Sequence, residues 1–144
     1  MRLLTSAALA AAALLCTAAA CPTTSAPPAA YREVRSGCAG GITGGGGGAA
    51  LLADGRLYRW QRTLAGRPDT LTLVRTDTTL AAEVGRRLGD MRFLAIEHSK
   101  PSNMTCFVHV RTDSAEHEVS WPISDTGAPK AVRELFDRLQ AAVR

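Results

Sequence analysis

Three groups of residues in this chain have types that could do chemistry: four cysteines at 16, 21, 38 and 106, histidines at 98, 109 and 117, and a run of glycines at 44–48. The cysteines are the most informative. Ala18-Ala19-Ala20 before Cys21 offers the small side chains that a signal peptidase needs. Small residues followed by cysteine also match the lipidation box of bacterial lipoproteins, in which the thiol is acylated and the cysteine becomes the new N-terminus. Ala18 stands where that box usually has leucine, and Leu15 is too large to serve the same way before Cys16. Cleavage before Cys21 leaves Cys21, Cys38 and Cys106, an odd number for an oxidising compartment. Acylation of Cys21 removes the odd thiol and leaves Cys38 and Cys106 to form one disulfide.

Everything upstream fits that address. Residues 1–20, MRLLTSAALAAAALLCTAAA, have Arg2 at the start and then an apolar run. The run is mostly alanine, which is a poor membrane span, so a cleaved signal peptide is the reading over a transmembrane anchor. Residues 21–30, CPTTSAPPAA, have the composition of an extended tether, and residues 31–144 form the expected single domain. The whole chain carries 17 basic and 13 acidic side chains. Losing Arg2 leaves a net charge of only +3, which disfavours nucleic acid as a partner. The expected location is the bacterial cell envelope, held at a membrane surface by the lipid on Cys21; soluble secretion is the alternative.

The other two groups argue against themselves. A phosphate-binding loop requires GxxxxGK[ST] opening a helix, but no Lys or Arg follows the glycines until Arg56. A metal site needs convergent ligands, and strand alternation sends His109 and His117 to opposite faces. Serines at 36, 99, 102, 114, 120 and 124 include no Gly-x-Ser-x-Gly elbow, and the acids beside His98 and His117 are strand neighbours that point apart. Neither a cofactor, a metal nor a catalytic residue is expected. Tyr58 and Trp60, flanked by Arg56, Arg59 and Arg62, could form a ligand face; burial of both rings with solvated arginines is the simpler expectation. Asn103-Met104-Thr105 matches a glycosylation sequon, without consequence in a bacterium.

The elements that position these residues read as α+β: an antiparallel sheet of about five or six strands with two packed helices, the C-terminal one amphipathic. Residues 31–35 suit a first strand. The glycine run suits a mobile loop or an irregular strand. Asp54-Gly55 predicts a tight hairpin with two positive φ angles, followed by strands over Arg56–Arg62 and Thr70–Thr76. Asp77, Thr78 and Thr79 offer caps for a helix through Leu88, with Leu80, Ala81, Val84 and Leu88 on one face and Gly89 past its end. Met91, Phe93, Leu94 and Ile96 should pack beneath it. A second hairpin turns at Asp113-Ser114, setting His109 opposite Glu118 and Arg111 opposite Glu116. Pro129 opens the last helix, striped by Val132, Leu135, Phe136, Leu139 and Val143, with Arg133 to Asp137 and Glu134 to Arg138 as outer pairs.

Taken together, Gly37-Cys38-Ala39-Gly40, the glycine-rich gap, Ala53-Asp54-Gly55-Arg56-Leu57-Tyr58, a helix, Phe93, a hairpin and a final helix resemble small exported bacterial domains of unknown function. Some of those carry Cys-Phe-Gly-x-Cys-Pro-x-Tyr before the Asp-Gly turn; here the second cysteine and the proline are missing. The resemblance implies an envelope location and no activity. The expected role is therefore a non-enzymatic binding or structural module, with an envelope protein as a possible partner. The alternatives are a small extracytoplasmic hydrolase and a secreted protease inhibitor with an exposed loop. Oligomeric state is not legible.

Overall fold

The computed structural model describes residues 31–144. Six strands form one sheet: β1 Glu33–Gly40, β2 Gly45–Leu52, β3 Arg56–Arg62, β4 Thr70–Thr76, β5 Met104–Arg111 and β6 Glu116–Pro122. Their order is β4-β3-β2-β1-β5-β6, and every pair is antiparallel. Helix α1, Thr78–Asp90, connects β4 to β5, and helix α2, Lys130–Ala142, closes the chain. Residues buried from both helices share one core cluster with Val34, Leu51, Leu57, Val108 and Val119 of the sheet. The fold is the expected α+β arrangement.

Of the two alternatives for the glycine run the strand holds: Gly45–Gly48 lie in β2, and Gly44 lies in the turn before it. Gly48 lies between Gly37 of β1 and Trp60 of β3, and Gly37 in turn faces Phe107 of β5. A Cβ on Gly48 would come 1.9 Å from the Ser36 carbonyl oxygen, and one on Gly37 would come 2.4 Å from the Trp60 ring. Glycine is therefore required so that the indole can lie across the sheet. Trp60 is 1% exposed, and its Nε1–H donates to the Ser36 carbonyl at 2.9 Å. This happens on the face away from the core cluster. Leu57, one residue out of phase, fills the core instead. Tyr58 shares the Trp60 side but is only half-buried.

The Asp54-Gly55 hairpin turns by a different route from that expected. Only Gly55 has positive φ, at 91°, and its N–H donates to the Leu52 carbonyl at 3.0 Å. Three residues turn the chain, the last of them in the glycine-favoring conformation, so Asp54 needs no left-handed backbone. The second hairpin has the expected register: Arg111 faces Glu116, His109 faces Glu118, and Thr112 N–H donates to Ala115 O at 2.8 Å. The ion pairs nevertheless go elsewhere. Arg111 reaches across to Glu33 on β1 at 2.7 Å, and His109 lies 3.6 Å from Glu116 and so pairs on the diagonal.

Helix α1 is capped by the Asp77 carboxylate, which accepts from Leu80 N–H at 2.8 Å. Leu80, Ala81, Val84 and Leu88 are buried as their spacing predicts. Gly89 does not end the helix: it lies inside it, and Arg92, at φ 50°, takes the left-handed position beyond the end. Of the residues expected beneath α1, Phe93 is buried but Leu94 is half exposed. Along α2, Val132, Leu135, Leu139 and Val143 are buried, and Phe136 meets Trp121 edge-on at 5.4 Å. The two expected outer pairs give way to Lys130 with Glu134 at 3.6 Å and to Arg138 with Glu83 of α1 at 3.2 Å. A carboxylate on the neighbouring helix competes successfully with one on the same helix.

Two arginines hold the end of α2. Arg75 Nη1 donates to Ala142 O at 2.7 Å, and Arg59 donates to Val143 O. Cations there satisfy carbonyls that lack helical partners and oppose the helix dipole. Arg59 is exposed, as expected of a solvated arginine, and also holds the end of α2 through this bond. Gly37→Ala should destabilise the protein by about 1–3 kcal/mol in urea unfolding and raise the exposure of Trp60 to a fluorescence quencher, because the indole must leave its seat.

Candidate functional site

The cysteines meet as expected. Cys38 and Cys106 face each other on β1 and β5 and form a disulfide that spans 68 residues of sequence. Cys21 lies outside the described residues. The disulfide joins the interior strands β1 and β5.

The histidines do not converge. His109 stands on the Trp60 side of the sheet. His117 faces the core side, where its Nε2–H donates to Ile96 O at 2.9 Å and Phe93 meets it edge-on. His98 leads into a short segment that runs beside β6 and bridges Ser99 to Ser120. Among the described residues no group of three or more His, Cys, Asp or Glu side chains could hold a metal ion. The Ser99 and Ser120 hydroxyls bond each other at 3.2 Å.

The side of the sheet away from the helices carries an ionic network. The Arg35 guanidinium stacks over the Trp60 ring, 5.1 Å from its centroid, and its Nη2 donates to Asp69 at 2.7 Å. Arg62 donates to the other Asp69 oxygen at 2.7 Å. Partial burial works against the Asp69 charge, but the two arginines prevail and hold its carboxyl below the usual carboxylate range. Of the residues expected as a possible ligand face, Trp60 is buried and Arg62 is committed to Asp69, whereas Tyr58 is half-buried and Arg56 and Arg59 are exposed. No helix among the described residues is long and apolar enough to cross a membrane.

The opposite situation holds at the end of the sheet where Tyr31 enters. A cavity of about 350 Å³ opens between the C-terminal half of α1, the turn Phe93–Ala95 and β5. Its walls are Tyr31, Leu88, Phe93, Leu94 and Val110, with Gly85 and Gly89 of α1 and Thr112 at one side. Arg92 is its one charged wall residue. An adjoining hollow shares Tyr31, Leu94 and Thr112 and contains three more arginines. Each of those three has an acid: Arg32 with Asp113, Arg56 with Asp54 at 2.8 Å, and Arg111 with Glu33 at 2.7 Å. Arg92 has no such partner among the described residues. Burial, reinforced by the Asp54 charge, pushes the Tyr31 hydroxyl far above its usual value, so it stays neutral and donates to Ala81 O at 3.0 Å.

Sequence reasoning missed this cavity. Gly85 and Gly89, four apart on an otherwise amphipathic helix, were the available signal: each costs the helix about 1 kcal/mol relative to alanine. Comparisons with protein-family models, with curated proteins and with solved structures find no match for this chain.

Two outcomes follow from these arrangements. Cys38→Ser should lower stability by about 2–4 kcal/mol, measured against the wild type under non-reducing conditions, because the link closes a long loop in the unfolded chain. Asp69 is bound by cations in the folded state, so its contribution is present above its unfolded pKa and lost as pH falls through its lower folded value. Asp69→Asn should therefore weaken the protein at neutral pH and flatten the acid limb of its stability curve.

Proposed function

We propose that this chain is an exported envelope protein, held at a membrane surface by acylation of Cys21, that acts as a non-enzymatic binding module. The Cys38–Cys106 disulfide is the observation that carries the reading. A disulfide between interior strands suits an oxidising compartment, and it accounts for both cysteines of the folded part. Of the three left after cleavage, Cys21 alone then remains, in the lipidation context. The alanine-rich leader supports the same address, and the tether at 21–30 would let the domain stand off the membrane. An envelope protein is one partner such a module could take.

Binding is favoured over hydrolysis by the character of the cavity at Tyr31. Its walls are apolar and bring together no nucleophile, base and acid. The hydrolase alternative has no comparable observation behind it. Intact mass of the protein recovered from the membrane fraction should show an N-terminal, acylated Cys21, and Cys21→Ser should move it to the soluble extracytoplasmic fraction. An unmodified chain that retains Met1 in the cytosol would overturn the proposal.

A further inference from the structure

We infer that the cavity between α1 and β5 is a binding site for a single-chain carboxylic acid, with the alkyl chain against Leu88, Phe93 and Val110 and the carboxylate on Arg92. The inference rests on the binding-module reading and names its ligand.

Three observations carry it. First, the cavity is kept open at a cost. Gly85 and Gly89 line it from inside α1, and a Cβ on Gly89 would meet nothing within 4 Å. Packing therefore does not require glycine at 89; its effect is to leave space. Second, the residue at the cavity mouth is held in a conformation that its type disfavors. Arg92 has φ 50°, a left-handed position where glycine ordinarily follows a helix. Third, charge complementarity selects the ligand. The three arginines of the adjoining hollow are paired with Asp113, Asp54 and Glu33, which among the described residues leaves the Arg92 guanidinium for the ligand. One free cation beside apolar walls suits a monoanion on an alkyl chain; a phosphate head group would call for more. About 350 Å³ is at the small end of ligand sites, which favours one chain over two.

The test is calorimetric titration of the mature chain, carrying Cys21→Ser for solubility and the disulfide intact, with octanoate, decanoate and dodecanoate below their aggregation thresholds. Decanol serves as the neutral control. Affinity should rise roughly fourfold per methylene until the cavity is full. Arg92→Glu should weaken decanoate by about tenfold or more and leave decanol unchanged. Gly89→Leu should abolish both while the melting temperature holds or rises, since leucine is the better helix former and its Cβ has room. Arg92→Gly should melt higher yet bind decanoate more weakly, a combination that a purely structural arginine would not give.

Several results would overturn the inference: no binding of any chain length, binding that Gly89→Leu leaves intact, or decanol bound as tightly as decanoate with no response to Arg92→Glu. It also fails if a silent titration is accompanied by magnetic-resonance contacts from residues 22–30 to Phe93, because the chain would then fill its own cavity. A dimer in light scattering that Gly89→Leu dissolves would assign the site to a second copy and likewise overturn it. An acylated Cys21 together with a silent titration would sink this inference and leave the envelope reading standing; strong decanoate binding by a chain found unprocessed in the cytosol would do the reverse.

Discussion

Close approach at Ser36, where the absence of side chains on Gly37 and Gly48 lets strands and indole meet, is the constraint on which the rest of the structure depends. A Cβ on either glycine would collide with backbone or with the Trp60 ring. Because both are bare, the indole lies over the sheet and donates to the Ser36 carbonyl. On the other side of the same residue, Gln140 Nε2 donates to the buried Ser36 hydroxyl at 2.9 Å. Residue 36 thus ties Trp60, β1 and α2 together. Two residues along β1, Cys38 links covalently to β5. The middle of the sheet is fixed by sterics, hydrogen bonds and one covalent bond within a few residues.

That rigidity has a consequence for where function can reside. On the Trp60 side of the sheet, Arg35 and Arg62 are both committed to Asp69. Arg59 and Arg75 are committed to the end of α2. At the Tyr31 end, two helical glycines line a cavity, and Arg92 presents a charge that no carboxylate among the described residues pairs. Local rules are broken there, since glycine lies inside a helix at 89 without a packing need and Arg92 is left-handed, and such places are where function is to be sought. In the proposed envelope setting, Tyr31 would be both the domain's connection to its anchor and one wall of its ligand site.

Much of this was legible in the sequence where local patterns agree with tertiary need. The register of β5 and β6 was readable because charged and apolar side chains segregate cleanly about Asp113-Ser114. The stripe along α2 and the Asp77 cap were readable for similar reasons. The glycine run was not, because a strand without side chains has no alternation to read, and the demand for glycine comes from Trp60, twelve residues beyond Gly48. Gly89 resembled a helix terminator, but the helix continues to Asp90, and the left-handed residue is Arg92. The ion pairs on α2 failed because Glu83 of α1 competes for Arg138. The disulfide was legible through cysteine parity; the cavity was not, because Gly85 went unremarked and Gly89 had a ready explanation as a helix terminator.

The central claim is that this domain works outside the cytosol and holds a small anionic amphiphile beside its tether. Native mass spectrometry of the protein, released gently from the membranes of its own cells, tests it most directly. The expected result is a Cys21-acylated, disulfide-bonded chain carrying a non-covalent adduct with the mass of one single-chain carboxylic acid, and the loss of that adduct when Gly89 is replaced by leucine. A chain that keeps its leader and free thiols, or one that carries no adduct in any preparation, would contradict it.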